Sequence, residues 1–165
     1  MSAESHLKRG HPILFGLMIF FGIIELAISA WLVSRFNAHH NYLSLAVRDR
    51  TRFILFTSIW TIVVSFLFIG FFRFARGSIF ASVGSHGVVL FLTWLFWTAA
   101  AASITAAYAG GLDCGGDGVV YCGQQNAQEA FAWVEWILST LALFTVIIRG
   151  IISARRGDGL GGELV

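Results

Sequence analysis

The stretch Glu129-Ala-Phe-Ala-Trp-Val-Glu135-Trp-Ile-Leu-Ser139-Thr-Leu-Ala-Leu-Phe-Thr-Val-Ile-Ile-Arg149 decides what kind of fold this chain can form. It is long enough for a helix to cross a bilayer, which takes about 20 mostly apolar residues. Yet it carries a carboxyl group, Glu135, about two helical turns from its start. An earlier apolar stretch repeats this arrangement, because Glu25 is followed four residues later by Ser29 as Glu135 is by Ser139. Two acidic side chains in segments of membrane length therefore need an explanation.

The composition of the chain is that of a membrane protein. Of its 165 residues, 57% are hydrophobic and 12% are charged, whereas a soluble domain usually holds about 25% charged residues. Soluble and disordered proteins are therefore excluded as classes. No polar segment carries a basic patch interleaved with aromatic residues, so we expect no nucleic-acid partner.

Four apolar segments pass the length test for a membrane-spanning helix of about 20 residues. They cover about residues 12–33, 53–72, 87–109 and 130–152. Each segment must be helical, because an unpaired peptide group in lipid costs several kcal/mol. The sequence thus predicts an all-α fold, a single bundle of four transmembrane helices. A polar N-terminal arm (residues 1–11) precedes the bundle, and a flexible tail (residues 153–165) follows it.

The distribution of Lys and Arg predicts how this bundle is oriented. Four spans place the N-terminal arm, the connector between the second and third spans, and the tail on one side, which holds seven of these residues. The other side holds four, which are Arg35, Arg48, Arg50 and Arg52. Because cytoplasmic segments carry the excess of positive charge, we expect both termini to be cytoplasmic.

The two cysteines, Cys114 and Cys122, both lie in the connector between the third and fourth spans. This connector is on the side predicted to be outside, where oxidising conditions permit a disulfide. The intervening Gly-Gly-Asp-Gly-Val-Val-Tyr segment is flexible enough to close the ring. We predict a structural disulfide, and two free thiols are the alternative.

Glu25 and Glu135 are the side chains that could carry chemistry. The predicted spans hold no Lys or Arg apart from Arg149, at the far end of the fourth span from Glu135. We therefore expect both to be neutral hydrogen-bonding groups, with Ser29 and Ser139 as candidate partners. They lie about eight and five residues from the outer ends of their predicted helices, so the carboxyl groups can meet if these helices are neighbours. A structural role that joins the helices is preferred over a proton- or cation-linked site. Contact with a lipid headgroup or a partner helix is the third alternative.

The third span carries two ladders of small residues that predict close helix packing. Ala99, Ser103 and Ala107 form one ladder, and Ala102, Ala106 and Gly110 form the second. In lipid, small residues allow the backbones of two helices to approach closely. Packing within the same bundle is the preferred interpretation, and a homo-oligomer is the alternative.

The membrane surfaces have their own candidate residues. Arginines at the two surfaces are expected to contact phosphate headgroups, namely Arg48, Arg50, Arg52, Arg155 and Arg156. Trp31, Trp133 and Trp136 lie toward the outer ends of their spans, which is typical of an interfacial aromatic belt. The sixteen Phe residues could line a site for a sterol or an acyl chain, although bulk that faces lipid explains them better.

No motif of catalysis or cofactor binding occurs in the chain. Nucleophile elbows, phosphate-binding loops and zinc-protease motifs are missing, so we expect no catalytic residues and no cofactor. The adjacent His39 and His40 lack a third ligand, and we therefore predict no metal site.

Three stretches resemble fungal members of the MARVEL-domain family. They are His11-Pro-Ile-Leu-Phe-Gly…Ile24-Glu25-Leu-Ala-Ile-Ser-Ala-Trp31, then Leu92-Thr-Trp94…Ala-Ala-Ser103-Ile-Thr105, and Leu112-Asp-Cys114…Tyr121-Cys122-Gly-Gln-Gln-Asn-Ala-Gln-Glu-Ala-Phe-Ala-Trp133-Val-Glu135-Trp136. The resemblance covers about residues 11–156. It implies an M-shaped four-helix topology with cytoplasmic termini, and it supplies no catalytic residues.

The resemblance also implies a role in membrane apposition, lateral microdomain organisation or vesicle trafficking. We therefore expect a non-enzymatic multi-pass protein of the plasma membrane or an endomembrane. It would bind lipids, such as a sterol or a phospholipid, and other membrane proteins or further copies of itself, or serve as the accessory subunit of a larger membrane complex. The alternative from another functional class is a small proton- or cation-linked transporter or channel that uses Glu25 and Glu135.

The predicted orientation can be tested by protease protection. A tag fused to the N-terminus should be digested by protease added to the cytoplasmic side of sealed membranes, because the positive charges hold that end in the cytoplasm. A tag inserted between Cys114 and Cys122 is the control and should stay protected. A protected N-terminal tag would show that the orientation is the reverse.

Overall fold

The computed structural model describes the backbone of residues 3–74, 83–115 and 118–155, and the side chains of residues 13–70, 86–115 and 118–151. It contains four helices, α1 (Ala3–His39), α2 (Leu45–Phe74), α3 (Val83–Ala107) and α4 (Cys122–Arg155), and the described residues form no strand. Each helix is long and apolar enough to cross a membrane. The predicted bundle of four transmembrane helices is confirmed.

The helices are arranged as a ring. Helix α1 packs against α2 and α4, and α3 packs against the same two helices, so that α1 and α3 are diagonal to each other. We call the end of the bundle that carries Cys114 and Cys122 the disulfide end. The α1–α2 turn also lies there, because successive helices run in opposite directions.

The helices extend beyond the spans that hydropathy predicts. The connector predicted over residues 34–52 is largely helical, since α1 continues to His39 and α2 begins at Leu45. The extensions are amphipathic, with Phe36, Val47 and Thr51 fully buried on their inner faces. Likewise, α4 begins eight residues before the predicted start at residue 130. Hydropathy misses such ends because half of their residues are polar.

The remaining predicted boundaries differ in a similar way. Helix α1 begins at Ala3, so the predicted polar arm of residues 1–11 is helical from that residue onward. Helix α4 ends at Arg155, and the rest of the predicted tail lies outside the described residues.

A sharp turn joins α1 to α2. The backbone N–H of His40 donates to the carbonyl of Phe36 (3.0 Å), and His40 itself takes a left-handed conformation with φ of 50°. Ser44 caps the next helix, because its hydroxyl accepts the N–H of Val47 (3.2 Å). These two caps explain why the turn needs only a few residues.

Two apolar clusters fill the bundle. The cluster at the disulfide end has Leu32, Phe36, Val47, Ile54, Trp97, Ala100, Ala101, Ile104, Tyr108 and Ala132 as its buried members. The cluster toward the opposite end has Phe15, Met18, Val64, Phe68, Leu90, Leu138, Ala142 and Val146. Outside these clusters, large apolar side chains are exposed on all four helices, among them Phe20, Phe66, Val88 and Phe144. Such a surface is suited to lipid.

Hydrogen bonds between tryptophan and threonine join α3 to both of its neighbours. Five of the six indole N–H groups donate to a threonine hydroxyl on an adjacent helix. The pairs are Trp60–Thr93 (3.0 Å), Trp97–Thr61 (2.9 Å), Trp94–Thr140 (3.0 Å), Trp136–Thr98 (2.9 Å) and Trp133–Thr105 (3.0 Å). Four of these threonines in turn donate to the carbonyl one turn back in their own helix. Trp133 and Trp136, predicted only as part of an interfacial belt, therefore also connect helices.

The Trp97–Thr61 pair gives a test of this role. Thr61→Val keeps the shape of the side chain but leaves the buried indole N–H of Trp97 without an acceptor, so it should lower the free energy of unfolding by about 1–3 kcal/mol. Thr145→Val is the matched control, because the hydroxyl of Thr145 donates only within α4, to the Leu141 carbonyl. Reversible unfolding in mixed micelles measures both variants. Equal losses would show that the indole bond contributes little.

Candidate functional site: a buried pair of carboxyl groups

A chain of hydrogen bonds starts at Glu25 and crosses three helices. The Ser29 hydroxyl donates to Oε1 of Glu25 (3.0 Å), and the Gln128 amide on α4 donates to the Ser29 hydroxyl (2.8 Å). The Thr51 hydroxyl on α2 donates to Oε1 of Gln128 (3.3 Å). All four side chains are fully buried. The chain therefore joins α1, α4 and α2 through polar contacts that lipid and water do not reach.

Glu135 is equally buried but has a different environment. Neither of its carboxyl oxygens has a hydrogen-bond partner among the described residues, and the same is true of Oε2 of Glu25. Ser139 is not its partner, since the Ser139 hydroxyl donates to the Trp136 carbonyl (2.9 Å). Of the two predicted serine partners, the structure thus brings only Ser29 to its carboxyl group.

Gly22 lets the carboxyl of Glu135 approach α1. A Cβ atom added at Gly22 would lie 3.6 Å from Oε1 of Glu135 and 3.2 Å from Cγ1 of Ile62. Gly22 is one turn before Glu25 on α1, so Glu135 lies beside the part of α1 that carries the second carboxyl. The predicted approach of the two carboxyl groups stays a prediction, and this position of Glu135 beside Gly22 is the contact that supports it.

The pair lies deeper in the bundle than predicted. Glu25 is fourteen residues before the end of α1 at His39, and Glu135 is thirteen residues after the start of α4 at Cys122. Both are thus near the middle of the candidate spans Ile13–His39 and Cys122–Ile151. The sequence predicts positions five to eight residues from the outer ends, because both predicted helices are shorter than the observed ones.

Further buried polar atoms lie between the pair and the disulfide end. The Tyr108 hydroxyl and Oε1 of Gln125 also lack a hydrogen-bond partner among the described residues. Burial is the main reason that the pKa of the Tyr108 phenol lies above its usual value, and the electrostatic influence of Glu129 and Glu25 raises that pKa further. These atoms lie in a half of the bundle that is otherwise filled by the apolar cluster of the disulfide end.

The disulfide closes the loop between α3 and α4 at this end of the bundle. Cys114 and Cys122 are bonded, with their Cα atoms 5.7 Å apart, which confirms the predicted pairing. Asn126 holds the same loop from α4, because its side chain accepts the N–H of Leu112 (2.9 Å) and donates to the Leu112 carbonyl (2.8 Å). The Asn41 amide donates to the Tyr121 hydroxyl (3.2 Å) and so connects the α1–α2 turn to this loop.

The small residues of α3 lie mostly on the outer surface. Ala99, Ala102, Ala106 and Gly110 are exposed, and Ser103 and Ala107 are half-buried. The small residues that pack inside the bundle are instead the neighbouring Ala100 and Ala101, both fully buried. The preferred interpretation of the ladders, packing within the same bundle, is therefore wrong for the four exposed positions.

The arginines of α2 contact other side chains at the disulfide end. Arg48 pairs with Asp49 (2.9 Å) and lies over the Tyr42 ring at 5.3 Å, and Arg52 donates to Asn37 (2.8 Å). Arg50 is half-buried. The side chains of Arg155 and Arg156 lie outside the described residues. Headgroup contact by these five arginines stays a prediction.

Sequence reasoning missed two members of the polar chain, Gln128 and Thr51. Both were assigned to connectors, because the fourth span was predicted to start at residue 130 and the second at residue 53. The signal that could have found them is the 3.6-residue period. Gln128 and Glu135 are seven residues apart, as are Thr51 and the buried Ser58, so that each pair shares one face of its helix.

Comparison with known proteins identifies one similarity. The family model described as MARVEL, a membrane-associating domain, matches residues 6–145, which is most of the chain. Neither the curated proteins nor the solved structures contain a match.

The contact at Gly22 can be tested by filling it. Gly22→Leu should prevent α1, α2 and α4 from converging, because even a Cβ atom there lies 3.2 Å from Ile62, and overpacking costs about 1–3 kcal/mol or more. Gly16→Leu is the matched control, since nothing lies within 4 Å of a Cβ atom at that position of α1. Thermal unfolding in detergent compares the two. Equal stability of both variants would contradict the close approach.

Proposed function

Because the chain belongs to the MARVEL family of membrane-associating domains, we propose that this multi-pass membrane protein organises membranes without catalysis. It does so by lateral association with lipids, with further copies of itself and with other membrane proteins. This activity serves microdomain formation, membrane apposition or vesicle trafficking, and the protein acts alone or as the accessory subunit of a larger complex. The three stretches that resemble fungal members support a fungal origin for it within this family.

The observation that carries this proposal is the outer face of α3. Along one stripe, the exposed residues change from large to small on approaching the disulfide end. The large ones are Val88, Phe91 and Leu95, and the small ones are Ala99, Ala102 and Ala106 on the helix and Gly110 just beyond its end. We call these small residues the recess, because their side chains are shorter than those of the large residues in the same stripe. Helices in lipid associate through such recesses, because packing replaces the hydrophobic effect as the driving force.

Aromatic side chains border this recess on both sides. Phe53, Phe56 and Phe96 stack between α2 and α3, with ring centroids 6.0–6.4 Å apart. On the α4 side, Trp133 and Trp136 meet edge to face at 5.4 Å, and Trp133 is 36% exposed. A second helix seated on the alanines would therefore contact rigid rings that lose little conformational entropy on binding.

The alternative function, transport of protons or cations through Glu25 and Glu135, gains no support from this structure. Toward the end opposite the disulfide, an apolar cluster that includes Phe15, Phe68 and Leu138 fills the bundle. The proposal therefore assigns the lateral surface, and not the interior, to the activity of the protein.

Self-association through α3 can be tested by filling the recess. The double variant Ala102→Leu/Ala106→Leu should weaken the self-association of the protein in lipid by about tenfold or more, because each added side chain separates the two backbones and about 1.4 kcal/mol corresponds to tenfold. Energy transfer between labelled copies in vesicles measures the change.

The matched control places the same substitutions on a different exposed surface. Ala27→Leu/Ala30→Leu adds two leucines to the exposed face of α1, and this variant should associate like the unmodified protein. Equal loss in both double variants, or no self-association of the unmodified protein at any density, would contradict the assignment to α3.

A further inference from the structure

The buried carboxyl pair has more acceptors than donors. Three carboxyl oxygens, Oε2 of Glu25 and both oxygens of Glu135, have no hydrogen-bond partner among the described residues. Both side chains are fully buried. A buried polar atom without a partner costs free energy, and native structures nearly always satisfy such atoms with protein, water or an ion. Something outside the chain is therefore expected at this position.

The charge of the missing partner follows from the surroundings. Neither Glu25 nor Glu135 forms an ion pair with a described side chain, and the arginines Arg48 and Arg52, at the disulfide end of the bundle, pair with Asp49. The titratable groups toward that end are Tyr108 on α3 and Glu129 on α4, which are neutral or acidic. From α2, Thr51 contacts Gln128 and Ile62 lies beside Gly22, and both are uncharged. No positive charge reaches the pair from the described part of the protein.

A low-dielectric interior does not hold bare negative charge. Burying an ionised carboxylate without a counter-charge is so costly that the group takes up a proton or a cation instead. Here Glu135 lies against Gly22, one turn before Glu25 on α1, so that ionising both carboxyl groups would add repulsion to the cost of burial. The positive charge must come from solution.

We propose that Glu25 and Glu135 form a binding site for a monovalent cation from solution, held between α1 and α4. The shared chemistry is a single positive charge that binds carboxyl oxygens, and its source is either a proton or an alkali-metal ion. Divalent metal is a poorer fit, because the described residues contain no group of three or more His, Cys, Asp or Glu side chains that could hold a metal. The site goes beyond the proposed lateral association, which does not depend on it.

The experiment uses the full chain in nanodiscs of uncharged lipid and has two arms. In the first arm, Na⁺, K⁺ or Li⁺ replaces N-methyl-glucamine at constant ionic strength and pH 7, and the Tm is recorded. In the second arm, infrared spectra in N-methyl-glucamine report the carbonyl band of protonated carboxylic acids as the pH is raised. The variants are Glu25→Gln and Glu135→Gln. The control is Glu129→Gln, which removes a partly exposed carboxyl bound by the Thr105 hydroxyl (2.6 Å).

If the bound cation is an alkali ion, one of the three ions should raise the Tm of the unmodified protein and of Glu129→Gln by about 2–4 °C. This rise in Tm should be lost in Glu25→Gln and in Glu135→Gln. A proton as the source predicts no alkali effect. Instead, a protonated-acid band is present at pH 7, is weaker in either Gln variant because one buried acid remains, and is titrated away with loss of stability as the pH rises. Each result supports the site and identifies its ligand.

Two results would overturn the proposal. One is an unmodified protein with neither an alkali effect nor a protonated-acid band at pH 7. The other is a response that persists undiminished in both Gln variants. Circular dichroism and gel filtration show whether each Gln variant folds. If one does not, the alkali-ion and infrared measurements on the unmodified protein and on Glu129→Gln still decide whether the site binds a cation. Loss of α3-mediated association would bear on the proposed function alone and not on this site.

Discussion

The rest of this structure depends on one constraint, which is that lipid offers no partner for a hydrogen bond. The backbone meets it by forming helices, but the polar side chains in the four spans must meet it through one another. A threonine hydroxyl does so by forming two hydrogen bonds. The Thr61 hydroxyl, for example, accepts a hydrogen bond from Trp97 and donates one to the Thr57 carbonyl. Each such hydroxyl is satisfied twice, and each indole connects two helices while it fills space between them.

The two kinds of polar contact connect different sets of helices. The indole–threonine bonds all involve α3, which they connect to α2 and α4. The chain from Glu25 through Gln128 to Thr51 connects α1 to α4 and α2 without touching α3. Helix α1 contributes no threonine and no bonded indole to the first set, so its polar contacts with other helices are the Ser29–Gln128 bond and, at the disulfide end, the Arg52–Asn37 bond. Glu25 supports the first of these from within α1, because it accepts the hydrogen bond that the Ser29 hydroxyl donates.

Much of the fold could be predicted from the sequence, and the limits have physical causes. Four spans follow from length and hydropathy, the disulfide follows from two cysteines in one connector, and the Glu25–Ser29 bond follows from the spacing of one turn. The ends of the helices were missed, because Thr51 and Gln128 lie on amphipathic extensions that hydropathy does not detect. The outward orientation of Ala99, Ala102 and Ala106 on α3 was also not predicted. In lipid both faces of a helix are apolar, so periodicity does not tell which face is inside.

Helix α4 connects the interior site to the lateral surface. Glu135 and Trp136 are adjacent in sequence and therefore point about 100° apart, Glu135 toward Gly22 of α1 and Trp136 toward Thr98 of α3. A change in charge at Glu135 would act on the same turn of α4 that holds α3 by an indole bond. Trp136 also contacts Trp133 at the border of the alanine recess, so the carboxyl pair and the proposed association surface share one turn of α4. Each depends on its own contacts, the pair on those with α1 and the indoles on those with α3.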